Sequence, residues 1–145
     1  MSAVSEIMST DLQVIEPPEN LGRAARSMQV FDIGDLPICD GHRLLGTVID
    51  RDITVRAVAE GLNAAQRSVS DVTSADLQFC TAHLDAQDVM RQMADRQTRR
   101  LPLIDTDRHL VGTVSLGDLS LRQQGDIART LRHISAPARA DAGRV

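Results

Sequence analysis

The sequence predicts an α/β (α+β) fold built from two pseudo-symmetric β-α-β-β-α units. Three observations lead to it. The chain repeats itself: at an offset of 65 residues, "VSEIMSTDLQV" (Val4 to Val14) lies over "VSDVTSADLQF" (Val69 to Phe79), and Arg26, Met28, Leu36, Pro37 and Asp40 lie over Arg91, Met93, Leu101, Pro102 and Asp105. One extra residue in the second turn moves the offset to 66, after which Gly46, Thr47, Val48, Asp52 and Arg56 match Gly112, Thr113, Val114, Asp118 and Arg122. Within each copy the apolar residues change period in the same order, from strand-like runs to helical spacing and back. A unit of roughly 60 residues also makes a marginal core alone, so the two should bury their apolar faces against each other in one globule.

Each element has its own signal. "LQVIE" or "LQFCT" reads as a leading strand. A helix follows, entered at Asn20 or Asp85 as N-cap, with Leu21, Ala24, Ala25 and Met28, or Ala86, Val89, Met90 and Met93, at helical spacing. Two short apolar strands come next: "LPIC" and "LLGTVI" flank "DGHR", and "LPLI" and "LVGTVS" flank "DTDRH", a hairpin signal in both copies. A second helix is expected from Asp52 or Asp118. "GLNAAQRS" (Gly61 to Ser68) reads as the linker. The expected boundaries are a first unit over 1–65, a second over 66–124, and a C-terminal piece over 125–145 with a short amphipathic helix, "DIARTLRHI", and a mobile Ala-Pro-Arg tail.

Composition narrows the function. With 145 residues, 42% hydrophobic and 25% charged, the chain is ordinary globular material. Sixteen basic residues, all Arg, stand against twenty acidic ones, so there is no basic block for a phosphate backbone. Two Phe, with no Trp or Tyr, give few platforms for stacked bases. Nucleic acid is therefore not an expected partner. The N-terminus has neither the basic nor the apolar region of an export signal, and nowhere do eighteen apolar residues run together, so a cytoplasmic protein with no membrane partner is expected. Cys39 and Cys80 belong to no C-x-x-C pair and read as free, packed thiols; a regulatory disulfide between them stays open. His42, His83, His109 and His133 lack the spacing of a zinc site, so no metal is expected.

At this point the residues carry a resemblance. The chain resembles a tandem pair of CBS domains, on the "I-M" opening (Ile7, Met8), the "G-x-L-P-h-x-D" strand (Gly34 to Asp40) and the closing "G-x-V-[ST]-x-x-D-h" (Gly112 to Leu119). It is similar in particular to stand-alone bacterial two-CBS proteins of the hypoxic-response type, on Asp32 to Cys39 and Asp50 to Ile53. The resemblance covers nearly the whole chain. It implies a Bateman module of two units packed through their sheets, not an enzyme, that binds AMP, ATP or a related adenosyl ligand in clefts between them. It also implies a homodimer and a regulatory signal passed in trans to a separate protein partner, with no covalent cofactor.

The site residues divide between two unequal clefts. An acid/base pair of Asp50 and Asp52 is geometrically poor, because i and i+2 side chains at a helix start do not face each other. The repeat retains only the second Asp of that string, since Asp50 and Arg51 become Leu116 and Gly117. An aspartate can accept both vicinal hydroxyls of a ribose, and the resemblance assigns that role to Asp52 and Asp118. In the better cleft it places Ser115 and Asp118 with Ser9, Leu12, Ile33 and Gly34. In the second it places Asp52 with Ser74, Leu77, Thr98 and Arg99, but Ile49 stands where the family has Ser or Thr. Arg51 or Arg99 could replace that contact electrostatically, or be solvated surface cations. Ser115 to Asp118 also fits the S-x-x-D form of a helix start, and that reading is compatible with binding. Gly117 lets a ligand approach the backbone closely. With no aromatic side chain nearby, adenine would lie between aliphatic groups such as Leu12, Ile33 or Leu77. The alternative function is a ligand-free dimerisation or partner-docking module; a thiol switch through Cys39 and Cys80 is a third.

Overall fold

The computed structural model describes residues 3–73, 77–121 and 124–137. The first long helix of each unit is capped where expected. The Asn20 side chain accepts the Arg23 N–H at 2.8 Å to start α1 (Leu21–Phe31), and Asp85 accepts the Asp88 N–H at 2.9 Å to start α3 (Ala86–Arg96). Both helices end on a left-handed residue that is not glycine, Asp32 (φ 53°) and Gln97 (φ 52°), at equivalent positions of the repeat.

The hairpins also form. β1 (Asp35–Asp40) pairs antiparallel with β2 (Arg43–Ile49) across a turn in which Gly41 has φ 61°, and β4 (Arg100–Ile104) pairs with β5 (Leu110–Ser115). In the second unit β3 (Cys80–Thr81) adds a parallel strand to β4. The leading strand expected at "LQVIE" is reduced to one parallel bridge, Ile15 to Ile38. Proline explains the difference. In the second unit the Ala82 N–H donates to the Ile104 carbonyl at 2.9 Å, whereas the equivalent residue is Pro17, which has no N–H to give.

The second helices begin earlier than Asp52 and Asp118. α2 (Asp50–Asp52) runs on into the π-helical turns Ile53–Val58, and α4 spans Leu116–Ser120. The aspartates occupy the third helical position because each carboxylate reaches back to the N–H three residues before it, Asp52 to Ile49 at 3.3 Å and Asp118 to Ser115 at 2.9 Å. α5 (Gln124–Ile134) supplies the expected C-terminal helix and packs along α3 and α4. The tail from residue 138 lies outside the described residues.

Two cores hold the units, and the chain openings are exchanged between them. Val4, Ile7 and Met8 pack with Val89, Met93, Leu101 and Leu119 of the second unit, while Val69 and Val72 pack with Leu21, Leu36 and Val48 of the first. Backbone bonds repeat the exchange: the Val4 N–H donates to Leu84 O and the Val69 N–H to Glu19 O, each at 2.8 Å. Gly112 is required by this crossing, since a side chain there would collide with Met8 and with the Ser9 carbonyl. A smaller cluster of Cys39, Leu44 and Ile104, with Leu77, Phe79 and Leu110 against it, joins the sheets. Beside it the Leu44 N–H donates to Arg108 O (3.2 Å) and the Leu110 N–H to His42 O (2.8 Å), a symmetric pair of bonds on the pseudo-twofold axis. The α/β module of two β-α-β-β-α units packed through their sheets is thus present, with its first strand worn down.

Candidate functional site

The closing strand of each unit leads into the helical turn that carries its aspartate, and Asp52 lines the large groove. In the second unit the arrangement is a full capping box: the Asp118 N–H donates to Ser115 Oγ at 3.0 Å, and the Ser115 N–H donates to Asp118 Oδ2 at 2.9 Å. In the first unit Ile49 has no acceptor to offer, so only the return bond to Asp52 exists. The other Asp52 oxygen faces Arg56 Nε at 3.7 Å. Both aspartates are half-buried, which suits groups that must meet a ligand without being flooded by water.

Two openings lie where the units meet, and a third adjoins them on the second unit. The largest, about 1050 Å³, brings Gly34, Ile49, Asp50 and Asp52 of the first unit opposite Thr98, Arg99 and Arg100 of the second. A recess of about 350 Å³ is lined by Arg99, Arg100, Ser115, Gly117, Ser120 and Leu131. A small one of about 60 Å³ is lined by Leu12, Ile33, Asp35, Arg100 and Thr113, among others. The large opening is of the order needed for a nucleoside monophosphate.

The expected sets are therefore gathered unequally. Asp52, Thr98 and Arg99 share the large groove, joined there by Gly34. Leu77 instead packs in the cluster joining the sheets, because its neighbours Cys39 and Ile104 offer it more apolar contact than the groove does. Arg51 is exposed, outside the lining, with its N–H bonded to Asp50 Oδ1 at 2.8 Å. Ser74 lies outside the described residues. Of the other set, Leu12 and Ile33 line the small opening and Ser115 the recess, whereas Asp118 lies outside the lining of all three because its carboxylate turns back to accept the Ser115 N–H. Ser9 is exposed, and its backbone exchanges two hydrogen bonds with Thr113, at 2.8 and 3.0 Å. Gly117 meets little but the Ser115 hydroxyl, 3.6 Å from where its Cβ would stand, and so leaves the recess open.

Sequence reasoning missed the pair at the centre. Asp35 and Arg100 occupy equivalent positions of the repeat and meet, Oδ1 to Nε, at 3.4 Å. Burial pushes the Asp35 carboxyl up from the ordinary range, the Arg100 guanidinium draws it down, and Asp50 pushes it up again. The signal was available, since equivalent residues close to a twofold axis face each other and these two carry opposite charge.

Other reactive groups are structural in this arrangement. Cys39 and Cys80 are free thiols, 2% exposed each and in separate clusters, and burial pushes both pKa values up. Ligand atoms of Asp105, Asp107 and His109 come within 4.8 Å of one another at the β4–β5 turn. Asp105 Oδ1 already accepts the Asp107 and His109 N–H groups at 2.9 Å each, so this cluster closes the turn.

The geometry of paired units agrees with a family match. The model of the CBS domain matches twice, over residues 4–58 and 69–124. This chain belongs to the CBS domain family. The CBS domain-containing protein YhcV of Bacillus subtilis is 35% identical over 126 residues, covering 87% of this chain and 89% of that protein. Hypoxic response protein 1 of Mycobacterium tuberculosis is 33% identical over 121 residues, covering 83% and 84%. A crystal structure of Hypoxic Response Protein I, with two coordinated zinc ions, superimposes with a TM-score of 0.77 at 31% identity, covering 83% of this chain and 98% of that one. Two more distant CBS structures share the fold: CBSX2 in complex with AMP (TM-score 0.73, 22% identity) and a CBS domain pair in complex with 5′-methylthioadenosine and S-adenosyl-L-methionine (TM-score 0.71, 23% identity). CBS domain proteins are generally regulatory. No helix among the described residues is long and apolar enough to cross a membrane.

Proposed function

We propose that this CBS pair is a regulatory sensor that binds an adenine nucleotide or related adenosyl ligand in the clefts between its units and signals in trans to a separate protein. The observation that carries the reading is the convergence of Asp52 with Thr98 and Arg99 across the unit boundary, next to a recess where Ser115 and Gly117 stand with Arg99 and Arg100. The carboxylates supply acceptors for ribose hydroxyls and the guanidiniums supply donors for phosphate. Complexes of fold relatives with AMP, 5′-methylthioadenosine and S-adenosylmethionine support the ligand class. A ligand that touches both units stabilises one relative tilt of them, and that tilt is what a partner would read. A cytoplasmic homodimer fits this role.

A ligand-free dimerisation or docking module is the competing reading. It is favoured by Ile49, which removes a hydroxyl from the large groove, and by Val30, Phe31, Val55 and Val58, which are exposed on the first unit's helices. Thermal unfolding with a panel of adenosyl ligands separates the two. Saturation at one hundred times the dissociation constant adds about 2.7 kcal/mol, which for a chain of this size raises the midpoint by about 5–10 °C. The sensor reading expects that rise with at least one ligand and its loss or reduction in Asp118→Ala or Asp52→Ala. No rise with any ligand, in a folded and ligand-free sample, would favour the docking module.

A further inference from the structure

The C-terminal helix walls two of the openings although its inward residues are not part of the matched CBS pair. Leu131 and Ile134 of α5 lie beyond the residues that the CBS model matches, which end at 124. Ile134 nevertheless lines the large groove together with Asp52, Thr98 and Arg99, and Leu131 lines the recess beside Ser115 and Gly117. Leu131 is 40% exposed, so it keeps apolar surface that a molecule in the recess would cover.

The seat of α5 is loosely filled. Thr130 is buried and Ile134 packs against the second unit's core, but a gap of about 200 Å³ lies between α3 and α5, with Arg91, Asp95, Arg129 and His133 among its walls. Gln97 fastens the end of the helix: its Nε2 donates to the His133 carbonyl at 3.2 Å and to the Ala136 carbonyl at 3.5 Å. Gln97 is held at φ 52°, where a side chain costs energy that glycine does not incur, and it too lines the large groove, next to Thr98 and Arg99. The residue that ties down α5 is therefore part of the groove wall.

We propose that α5 is an added wall of the ligand site, with Ile134 in apolar contact with the ligand in the large groove, so that binding fastens α5 onto α3 and the helix reports occupancy. The proposal rests on the adenosyl-binding reading above and names the element through which binding is read out. A ligand that touches both the groove and α5 favours the docked helix by as much as docking favours the ligand. A loosely filled seat puts release of the helix within reach of that coupling.

Amide hydrogen exchange of the full chain, read by mass spectrometry with and without saturating AMP, 5′-methylthioadenosine or S-adenosylmethionine, tests this alongside isothermal titration. With a ligand that binds, exchange over 124–134 should slow about threefold or more, while α1 of the first unit changes by less than about twofold. Ile134→Ala should weaken the same ligand several-fold and speed α5 exchange in the empty protein. The exchange measurement on the wild type needs no variant, so a folding defect in Ile134→Ala cannot decide the outcome. Binding with unchanged α5 exchange, equal slowing in α1 and α5, or unaltered affinity in Ile134→Ala would overturn the role of α5 while leaving adenosyl binding intact. Absence of binding by all three ligands to the wild type would overturn the adenosyl reading itself.

Discussion

Ile49 and Ser115 stand at the same position of the two units, and only the serine can accept a hydrogen bond from the aspartate N–H three residues on. The first unit's helix therefore starts without its side-chain cap. Ile49 is 38% exposed, so most of its apolar surface is covered and the loss of that burial opposes a new cap. Ile49→Ser should consequently leave stability within about 1 kcal/mol of the wild type, read as a small shift of the urea midpoint at unchanged slope. It should also strengthen any phosphate ligand in the large groove, while a larger fall in the midpoint would show that the isoleucine packs more than the serine caps. Asp52 and Asp118 could be singled out because the repeat retains them, and the resemblance gave them the ribose role. Asp35 and Arg100 were not, because periodicity along a chain says nothing about which equivalent residues meet across an axis until the axis is located.

At the scale of the element, both first helices end on residues held at positive φ, Asp32 and Gln97, where an L side chain costs energy that glycine does not incur. Asp32 is exposed and equivalent to a residue whose side chain has work elsewhere: Gln97 Nε2 donates to the His133 carbonyl at 3.2 Å and ties α3 to α5. Asp32→Gly should thus raise the thermal midpoint, by up to about 1 kcal/mol of stability, whereas Gln97→Gly should gain less. A fall in stability for Asp32→Gly would mean that its carboxylate holds a contact of its own. Helix starts and hairpins could be read from Asn20, Asp85 and the turn residues because capping and turn chemistry are local, and the two-unit plan from the repeat. The leading strand of the first unit was misread for an equally local reason: "LQVIE" is apolar enough, but Pro17 withholds the N–H that would extend the ladder. The exchange of chain openings, by which Val4 enters one core and Val69 the other, could not be read at all, since both segments look alike in the repeat.

Over the whole molecule the pseudo-symmetry is broken by α5. It lies against Gln87, Met90, Arg91 and Asp95 of α3, whereas the equivalent face of α1 keeps an open groove of about 740 Å³ lined by Gly22, Arg23, Arg26, Val30 and Phe31. One unit thus supplies its own cover and the other leaves Val30 and Val58 67–69% exposed. If a homodimer forms, this face of the first unit is where its apolar surface is available. Sedimentation equilibrium should then show a dimer for the wild type and a shift towards monomer for Val58→Asp, with unchanged unfolding of the monomer. A wild-type monomer at all concentrations would remove this interface.

The most direct test of ligand sensing between the units is the amide NMR spectrum of the labelled chain titrated with AMP. Ligand sensing between the units should concentrate the shifts at Gly34, Asp52, Thr98, Arg99, Gly117 and Asp118, on both sides of the unit boundary. Shifts confined to one unit or to the α1 groove, or none at saturating nucleotide, would contradict it.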